Sequence, residues 1–176
     1  RETAEFISFI DKQGLEPKGI INTHAHLDHI FGVNAMKKQY NIPFGIHQLE
    51  QPVLSRGVET AAMFGMKLTE LPTADHYIPH GQSLQLGEDT VEVLLTPGHS
   101  PGSVSFYHAA GNWVLSGDVL FANSIGRTDL PGGNFDTLIH SIQTQLFTLP
   151  DHTRVLSGHG PATSIGNEKK YNPFLK

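Results

Sequence analysis

The stretch THAHLDH (23–29) most constrains what this chain can form, because three histidines and an aspartate occupy six successive positions. Residues i and i+2 of an extended segment point the same way, so His24 and His26 can face one ion together. Asp28 and His29 fall where a helix is expected to begin, and the turn there can aim both side chains at a second position. Clustered histidines repel one another when protonated, so the stretch predicts a metal site rather than a polar loop.

Three later segments repeat the order found in the first, with an apolar strand, a turn containing glycine and a side chain that can bind a metal. They are VEVLLTPGHSPG with His99, NWVLSGDVLF with Asp118 and TRVLSGHGPAT with His159. Strand ends can bring side chains from distant parts of a sequence to one point, so these residues are expected to join the first cluster. The SGD sequence is also ordinary turn chemistry, and a purely structural Asp118 is the alternative there.

The candidate ligands divide into two groups, each suited to one divalent ion. The first group would leave a coordination position for water, the usual arrangement of a catalytic zinc site, and consists of His24, His26 and His99. The second group consists of Asp28, His29 and His159. Asp118, with two oxygens, would bridge the two ions. The other histidines lack such a motif and are interpreted as ordinary core or surface residues: His47, His76, His80, His108, His140 and His152.

This ligand set predicts a hydrolase. Two divalent ions about 4 Å apart can share one hydroxide and lower the pKa of its parent water from about 15.7 towards ~7. They also stabilise the negative charge of a tetrahedral intermediate, and an ester or thioester suits them because a thiolate leaves with little help from an acid. Asp28 can orient the nucleophile, so Asp28 and Asp118 are the predicted catalytic residues. Zinc is the expected metal, although the same ligands accept iron or manganese.

Composition narrows the class of protein. The chain has 176 residues, no cysteine and a formal net charge of −5. Disulfide bonds and thiolate ligands are therefore excluded, and the acidic balance argues against a nucleic-acid partner. No run of about 20 apolar residues is present, and the first residues lack the apolar core of a secretory signal. We therefore expect a cytoplasmic protein without membrane contact.

The apolar spacing predicts an α/β fold in which β-hairpins occupy the middle of the chain. Helices are predicted over 3–14, 29–40, 134–149 and 164–171, and 51–66 is predicted as a broken helix or a loop. Strands are predicted over 18–23, 43–47, 82–86, 90–96, 103–108, 112–116 and 153–157. Asn134 is the expected N-cap of the longest helix.

Taken in order, THAHLDH, TPGHSPGS, SGDVLF and SGHGPAT resemble the motifs of the metallo-β-lactamase superfamily, from about residue 18 onwards. The resemblance implies an αββα sandwich with its metals at one edge and the same division of ligands. Within the superfamily the chain most resembles the glyoxalase II (hydroxyacylglutathione hydrolase) group, which implies a small-molecule thioester such as S-lactoylglutathione as substrate. True β-lactamases of this fold commonly have cysteine where Asp118 stands and lack the histidine at position 29, so antibiotic hydrolysis is not the first expectation.

The stretch SIGRTDLPGGN (124–134) resembles a segment of compact glyoxalase II-like bacterial proteins and of the related persulfide dioxygenases. Arg127 is a candidate for binding a substrate carboxylate, since its planar fork suits one bidentately. The alternative is that Arg127 and Asp129 only brace the loop. The shared GRTD sequence also keeps open a second function, that of a glutathione-persulfide dioxygenase with a single iron. A nuclease and a non-catalytic metal-stabilised domain are less favoured, because a basic surface is missing and the first group leaves a coordination position open.

The chain departs from the family pattern at both ends. Only a short tail follows His159, where larger glyoxalase II enzymes have a helical domain that supplies much of the glutathione site. Before the first motif only one helix and one strand are predicted, whereas the family normally has several strands there. Residues 1–176 are therefore expected to form a single metallo-hydrolase domain whose N-terminal strands are missing or lie upstream. The oligomeric state is left open.

Overall fold

A computed structural model describes residues 2–176, and within them two β-sheets form the framework. The strands are, in chain order, β1 (Ile20–Ile21), β2 (Phe44–Ile46), β3 (His76–Tyr77), β4 (Ser83–Leu86), β5 (Asp89–Leu95), β6 (Val104–His108), β7 (Trp113–Gly117), β8 (Leu120–Phe121), β9 (Ser124–Ile125), β10 (Arg154–Ser157) and β11 (Thr163–Ser164). The α-helices are α1 (Glu2–Lys12), α2 (Leu27–Ile30), α3 (Val33–Tyr40), α4 (Gln51–Ser55), α5 (Gly57–Met63), α6 (Phe135–Ser141) and α7 (Ile165–Tyr171). The predicted α/β content is confirmed.

The larger sheet has six strands in the order β11-β10-β7-β6-β5-β4, and the smaller is a parallel sheet in the order β1-β2-β3. In the larger sheet β5, β6 and β7 are successively antiparallel, and β10 is parallel to β7. Strands β5, β7 and β10 therefore run in one direction, and the loops that follow them leave the same edge of the sheet. These loops carry His99, Asp118 and His159.

The predicted hairpins are confirmed, and the central residues of β5 alternate between exposed and buried positions. In β5, Val91 and Val93 are fully buried while Thr90 and Glu92 face solvent. Val93 pairs with Phe106 of β6 in the sheet register. A shift by one residue would place the valines in water, so this pattern fixes the register of the hairpin.

Helix α6 and the π-helical turn that follows it cover the larger sheet with one apolar stripe. Leu138, Ile142 and Leu146 are fully buried, and burial of each side chain contributes about 1.5–3 kcal/mol. The prediction that Asn134 caps this helix is confirmed, since its side-chain oxygen accepts a hydrogen bond from Thr137 N at 2.8 Å. The predicted end at residue 149 is wrong, because the α-helix stops at Ser141 and continues as a π-helical turn over Ile142–Leu146.

The prediction of one helix over 29–40 is wrong. The structure has two helices, α2 and α3, which are separated at Phe31 and Gly32. The side chain of Asn22 donates to His29 O at 2.7 Å, so this carbonyl is satisfied from outside the helix. The break lets the short α2 aim its side chains independently of α3. Over 51–66 the predicted broken helix is confirmed by α4 and α5.

Four strands of two residues each were not predicted, namely β3, β8, β9 and β11. Such short pairings depend on backbone neighbours from elsewhere in the chain, so local apolar spacing cannot indicate them. Among the helices of the described residues, none combines the length and the apolar character that crossing a bilayer requires.

The capping of α6 gives a stability prediction. Asn134→Ala should lower the free energy of unfolding by about 1 kcal/mol, which corresponds to a fall in Tm of roughly 2–4 °C, because Thr137 N loses its acceptor. Asn134→Asp is the matched control and should retain most of the stability, since aspartate caps as well as asparagine. Thermal unfolding followed by circular dichroism measures both variants. Equal loss in both variants would contradict the capping role.

Candidate metal centre

The loop that carries His24 and His26 lies at the junction of the two sheets. It leaves β1 of the smaller sheet, and Thr23 O accepts a hydrogen bond from Val104 N of the larger sheet at 2.9 Å. Ala25 and Ile30 are buried in an apolar cluster with Phe44, and this packing fixes the position of the loop. The alternating histidines are thereby left to face the edge from which the loops of the larger sheet also emerge.

Three imidazoles of the first group converge on one point. The Nε2 atom of His99 lies 2.8 Å from His26 Nδ1 and 3.2 Å from His24 Nε2. Ligands at zinc–nitrogen distances of about 2.0–2.1 Å in a tetrahedral site are about 3.3 Å apart. A movement of a few tenths of an ångström would therefore give His99 Nε2 the spacing of a zinc site to each of the other two nitrogens.

Hydrogen bonds from behind orient two of these rings. His99 Nδ1 lies 2.8 Å from the backbone oxygen of Arg127, which can only accept, so Nδ1 carries the proton and Nε2 presents its lone pair to the cluster. His24 Nδ1 lies 3.1 Å from the hydroxyl of Thr23, which leaves Nε2 facing the same point. This arrangement is the one that metal-ligating histidines adopt in proteins.

The second group lies beside the first. His159 Nε2 is 2.9 Å from Asp28 Oδ2 and 3.5 Å from Asp118 Oδ2. His29 Nε2 is 3.5 Å from both Asp28 Oδ2 and Asp118 Oδ1. One ligand atom from each of these four residues lies within 4.8 Å of the others. The structure thus brings together all seven residues predicted from the sequence, in the two predicted groups.

Asp118 occupies the position between the groups. Its Oδ2 atom lies 3.8 Å from His99 Nε2 of the first group and 3.5 Å from His159 Nε2 of the second. Gly158 makes this position accessible, because a Cβ atom there would collide with Asp118 Oδ1. Among the described residues, His29 Nε2 and Asp118 Oδ1 are buried without a hydrogen-bond partner. Buried polar atoms require partners, and a cation between the groups would supply one to both.

The electrostatics of the cluster suit a cation. Burial, and then the neighbouring imidazoles, lower the pKa of His24 well below its ordinary value and that of His26 to about 4. Both rings are therefore neutral at pH 7, the form that binds a metal. Burial also opposes the charged forms of His29 and Asp118, but their mutual attraction prevails, so the pKa of His29 is raised and that of Asp118 is lowered. The residues present fit two divalent ions.

A cavity of about 500 Å³ opens over the cluster. Arg127 lines it, and its Nε and Nη2 atoms each donate to the Asp129 carboxylate at 2.7 Å. The guanidinium lowers the pKa of Asp129 to about 2. In this structure Arg127 thus braces its own loop, and binding of a substrate carboxylate stays a prediction.

Glu50 was not singled out from the sequence, although it contacts both ligand loops of the first group. It is fully buried at the end of a 3₁₀ turn, Gln48–Glu50, and accepts hydrogen bonds from Ala25 N, Ser100 Oγ and Gly102 N. A lone glutamate in HQLE gives no local signal, because its role depends on two segments distant in sequence. The apolar walls of the cavity were missed for the same reason.

The sequence matches the family model of the metallo-β-lactamase superfamily over residues 2–159. The chain belongs to the metallo-β-lactamase superfamily. Together with the histidine and aspartate cluster, membership indicates a metal-dependent hydrolase that uses divalent ions. The predicted fold class is confirmed by solved structures that superpose on nearly the whole chain.

Two relatives illustrate the closeness of the match. The chain is 47% identical to “Probable metallo-hydrolase YqgX” of Bacillus subtilis over 169 residues, which cover 95% of this chain and 80% of the relative. It is 36% identical to “Hydroxyacylglutathione hydrolase GloC” of Haemophilus influenzae, with 99% and 83% covered.

Three solved structures extend the comparison to the fold. TTHA1623 in a di-iron-bound form superposes with a TM-score of 0.89 at 37% identity, and 97% of this chain and 84% of that chain are covered. BLEG-1, described as a B3 metallo-β-lactamase, gives 0.88 at 43% identity, with 98% and 84% covered. ETHE1 from Myxococcus xanthus gives 0.77 at 28% identity, with 98% and 68% covered.

The convergence of the three imidazoles predicts the effect of removing one. His99→Ala should lower the metal content by about one ion per chain and abolish hydrolysis, because two histidines remain where a catalytic site uses three ligands. His140→Ala is the control, since this histidine lies exposed on α6 outside both groups. Elemental analysis after dialysis and a hydrolysis assay measure both variants. A His99→Ala protein that keeps its ions and its activity would refute the ligand assignment.

Proposed function

We propose that this protein is a dinuclear metallo-hydrolase that cleaves a thioester such as S-lactoylglutathione. The observation that carries the proposal is the position of Asp118, whose carboxylate faces both groups of ligands at 3.8 and 3.5 Å. Two adjacent groups that share one carboxylate are the arrangement expected for a pair of ions. The similarity to GloC, a hydroxyacylglutathione hydrolase by name, supports the choice of thioester.

Each group of residues has a task in this proposal. His24, His26 and His99 would hold one ion, and Asp28, His29 and His159 the other, with Asp118 in contact with both. The ions, when bound, supply Lewis acidity and a water molecule that ionises near neutral pH. Asp28 Oδ2, which lies 2.9 Å from His159 Nε2, is placed to accept a proton or orient a nucleophile at the floor of the cavity.

A thioester matches the side chains that line the cavity. A thiolate leaving group has a conjugate acid of pKa about 8.5, so it departs without a strong proton donor. The described lining contains neither a tyrosine nor a lysine that could protonate a poorer leaving group. Zinc is the proposed metal, while iron is the alternative suggested by the di-iron form of TTHA1623.

Metal removal tests the proposal directly. The purified protein should contain about two divalent ions per chain and hydrolyse S-lactoylglutathione, because both groups of ligands are complete. Chelation should abolish turnover, and added Zn²⁺ should restore it. Full activity in metal-free protein would refute the proposal.

Other outcomes would assign the protein elsewhere in the superfamily. About one iron per chain with oxygen consumption on glutathione persulfide would identify the dioxygenase that the GRTD sequence suggests. Two ions with turnover of a chromogenic cephalosporin but not of thioesters would favour a β-lactamase, the activity in the description of BLEG-1. Two ions without either activity would direct the search to other esters.

A further inference from the structure

One wall of the cavity over the metal centre is apolar. Beyond the candidate ligands, it is lined by large side chains that include Leu27, Phe64, Met66, Phe121 and Leu130. Phe64 and Met66 follow α5, and they remain 57% and 45% exposed. Apolar side chains left in water beside a catalytic cluster are a usual mark of a ligand surface.

The same lining offers little to an anionic substrate. Arg127 is the cationic residue among the described side chains around the cavity. Its guanidinium already donates hydrogen bonds to both oxygens of the Asp129 carboxylate. Glutathione has two carboxylates and one ammonium group at neutral pH, so it needs unpaired cationic partners. The wall instead matches an apolar group, whose transfer out of water is favourable.

We propose that the natural thioester has a small hydroxyacyl group on an uncharged, apolar thiol. The polar floor suits the acyl group next to the ions, and the thiol lies against Phe64, Met66 and Leu130. This inference rests on the proposed thioesterase activity, and it replaces glutathione by a different class of thiol carrier.

A matched pair of substrates tests the inference on the metal-loaded protein. The lactoyl thioester of benzyl mercaptan should have a kcat/KM about tenfold above that of S-lactoylglutathione, as burial of part of a phenyl ring allows. Met66→Ala should lower the value for the benzyl thioester about tenfold, a larger factor than for S-lactoylglutathione, because the apolar thiol loses its contact with this side chain. Met63→Ala is the control, because Met63 is 79% exposed and does not line the cavity.

The outcomes separate the inference from the proposed function. Preference for S-lactoylglutathione, or an equal effect of Met66→Ala on both thioesters, overturns the inference while the thioesterase stands. Hydrolysis of neither thioester overturns both.

A binding measurement on the metal-free protein adds a readout independent of turnover. The methyl resonance of Met66 should shift when benzyl methyl sulfide is added, and S-methylglutathione should shift it far less. The resonance of Met63 should move with neither compound. Equal shifts with both sulfur compounds would also overturn the inference.

A second inference concerns Glu50, and it depends on metal binding but not on the substrate. Glu50 Oε2 accepts from Ala25 N at 2.8 Å, and Oε1 accepts from Ser100 Oγ and Gly102 N at 2.7 Å each. Ala25 lies between the first two histidines of the ligand set, and Ser100 directly follows the third. One buried carboxylate thus ties together both loops that supply the first group.

The fit around this carboxylate leaves little freedom. A Cβ atom on Gly102 would lie 2.8 Å from Glu50 N, so the loop after β5 approaches the 3₁₀ turn as closely as a glycine allows. Ser100 Oγ also lies 2.6 Å from Ser103 Oγ, which extends the network along the loop. We infer that Glu50 is a positioning residue, which sets the spacing of the three imidazoles before an ion binds.

Glu168 provides a matched control. It is also a fully buried glutamate, and it accepts hydrogen bonds from Asn123 N and from three side chains near α7. None of these partners lies within three positions of a candidate ligand. Its replacement by glutamine should therefore cost stability without affecting the metal centre.

The test compares the two glutamine variants. Glu50→Gln turns the amide NH₂ group of the new side chain towards backbone or hydroxyl groups that are themselves donors. The variant should therefore bind Zn²⁺ at the tighter site roughly 10- to 100-fold more weakly, as other metal sites do when a residue that hydrogen-bonds near the ligands is lost. Glu168→Gln should bind Zn²⁺ like the wild type, although both variants lose thermal stability. Competition with a chelating dye measures affinity, and the spectrum of the Co²⁺-loaded protein reports ligand geometry.

Ser100→Ala covers the case in which Glu50→Gln fails to fold. This variant removes one of the three donors and should weaken Zn²⁺ binding severalfold, in the same direction. Unchanged Zn²⁺ affinity and an unchanged Co²⁺ spectrum in either foldable variant would show that the carboxylate has only a structural role.

Discussion

The structure depends on keeping three imidazole rings in close contact, with His99 Nε2 only 2.8 Å from His26 Nδ1 and 3.2 Å from His24 Nε2. Such a cluster is unfavourable by itself, because its members cannot be protonated together and their lone pairs repel. His24 and His99 are nearly completely buried, so their rings cannot move apart into water and the surrounding structure has to hold them together. It does so with backbone and side-chain hydrogen bonds from outside the cluster.

The two sheets divide this task between them. Strands β5, β7 and β10 share one direction, so the larger sheet delivers one candidate ligand from each of three loops to one edge. The smaller sheet delivers the other four in the segment after β1, two of them in the loop and two on α2. The bond from Val104 N to Thr23 O joins the sheets beside the cluster, and Glu50 joins the loops themselves. Ligand spacing is therefore set by the framework and not by the flexibility of each loop.

All seven candidate ligands could be predicted from the sequence because each stands in or beside a short apolar strand and a turn, which are local signals. The break between α2 and α3 could not, since the apolar spacing continues past Phe31 and Gly32 while Asn22 satisfies His29 O from a different segment. Glu50 and Met66 lay outside prediction for a related reason. Their roles depend on contacts with residues that are distant in sequence, and local sequence patterns do not indicate such contacts.

The candidate metal ligands and the apolar wall of the cavity lie on different parts of this fold. The candidate ligands stand at strand ends or on α2, whereas Phe64 and Met66 follow the far end of α5, which is anchored through the close contact of Gly57 with Leu71 and Ile30. Replacing side chains beyond that anchor changes the wall of the cavity and leaves the hydrogen bonds behind the imidazoles intact. The spacing of the candidate ligands therefore does not depend on which side chains form the apolar wall of the cavity.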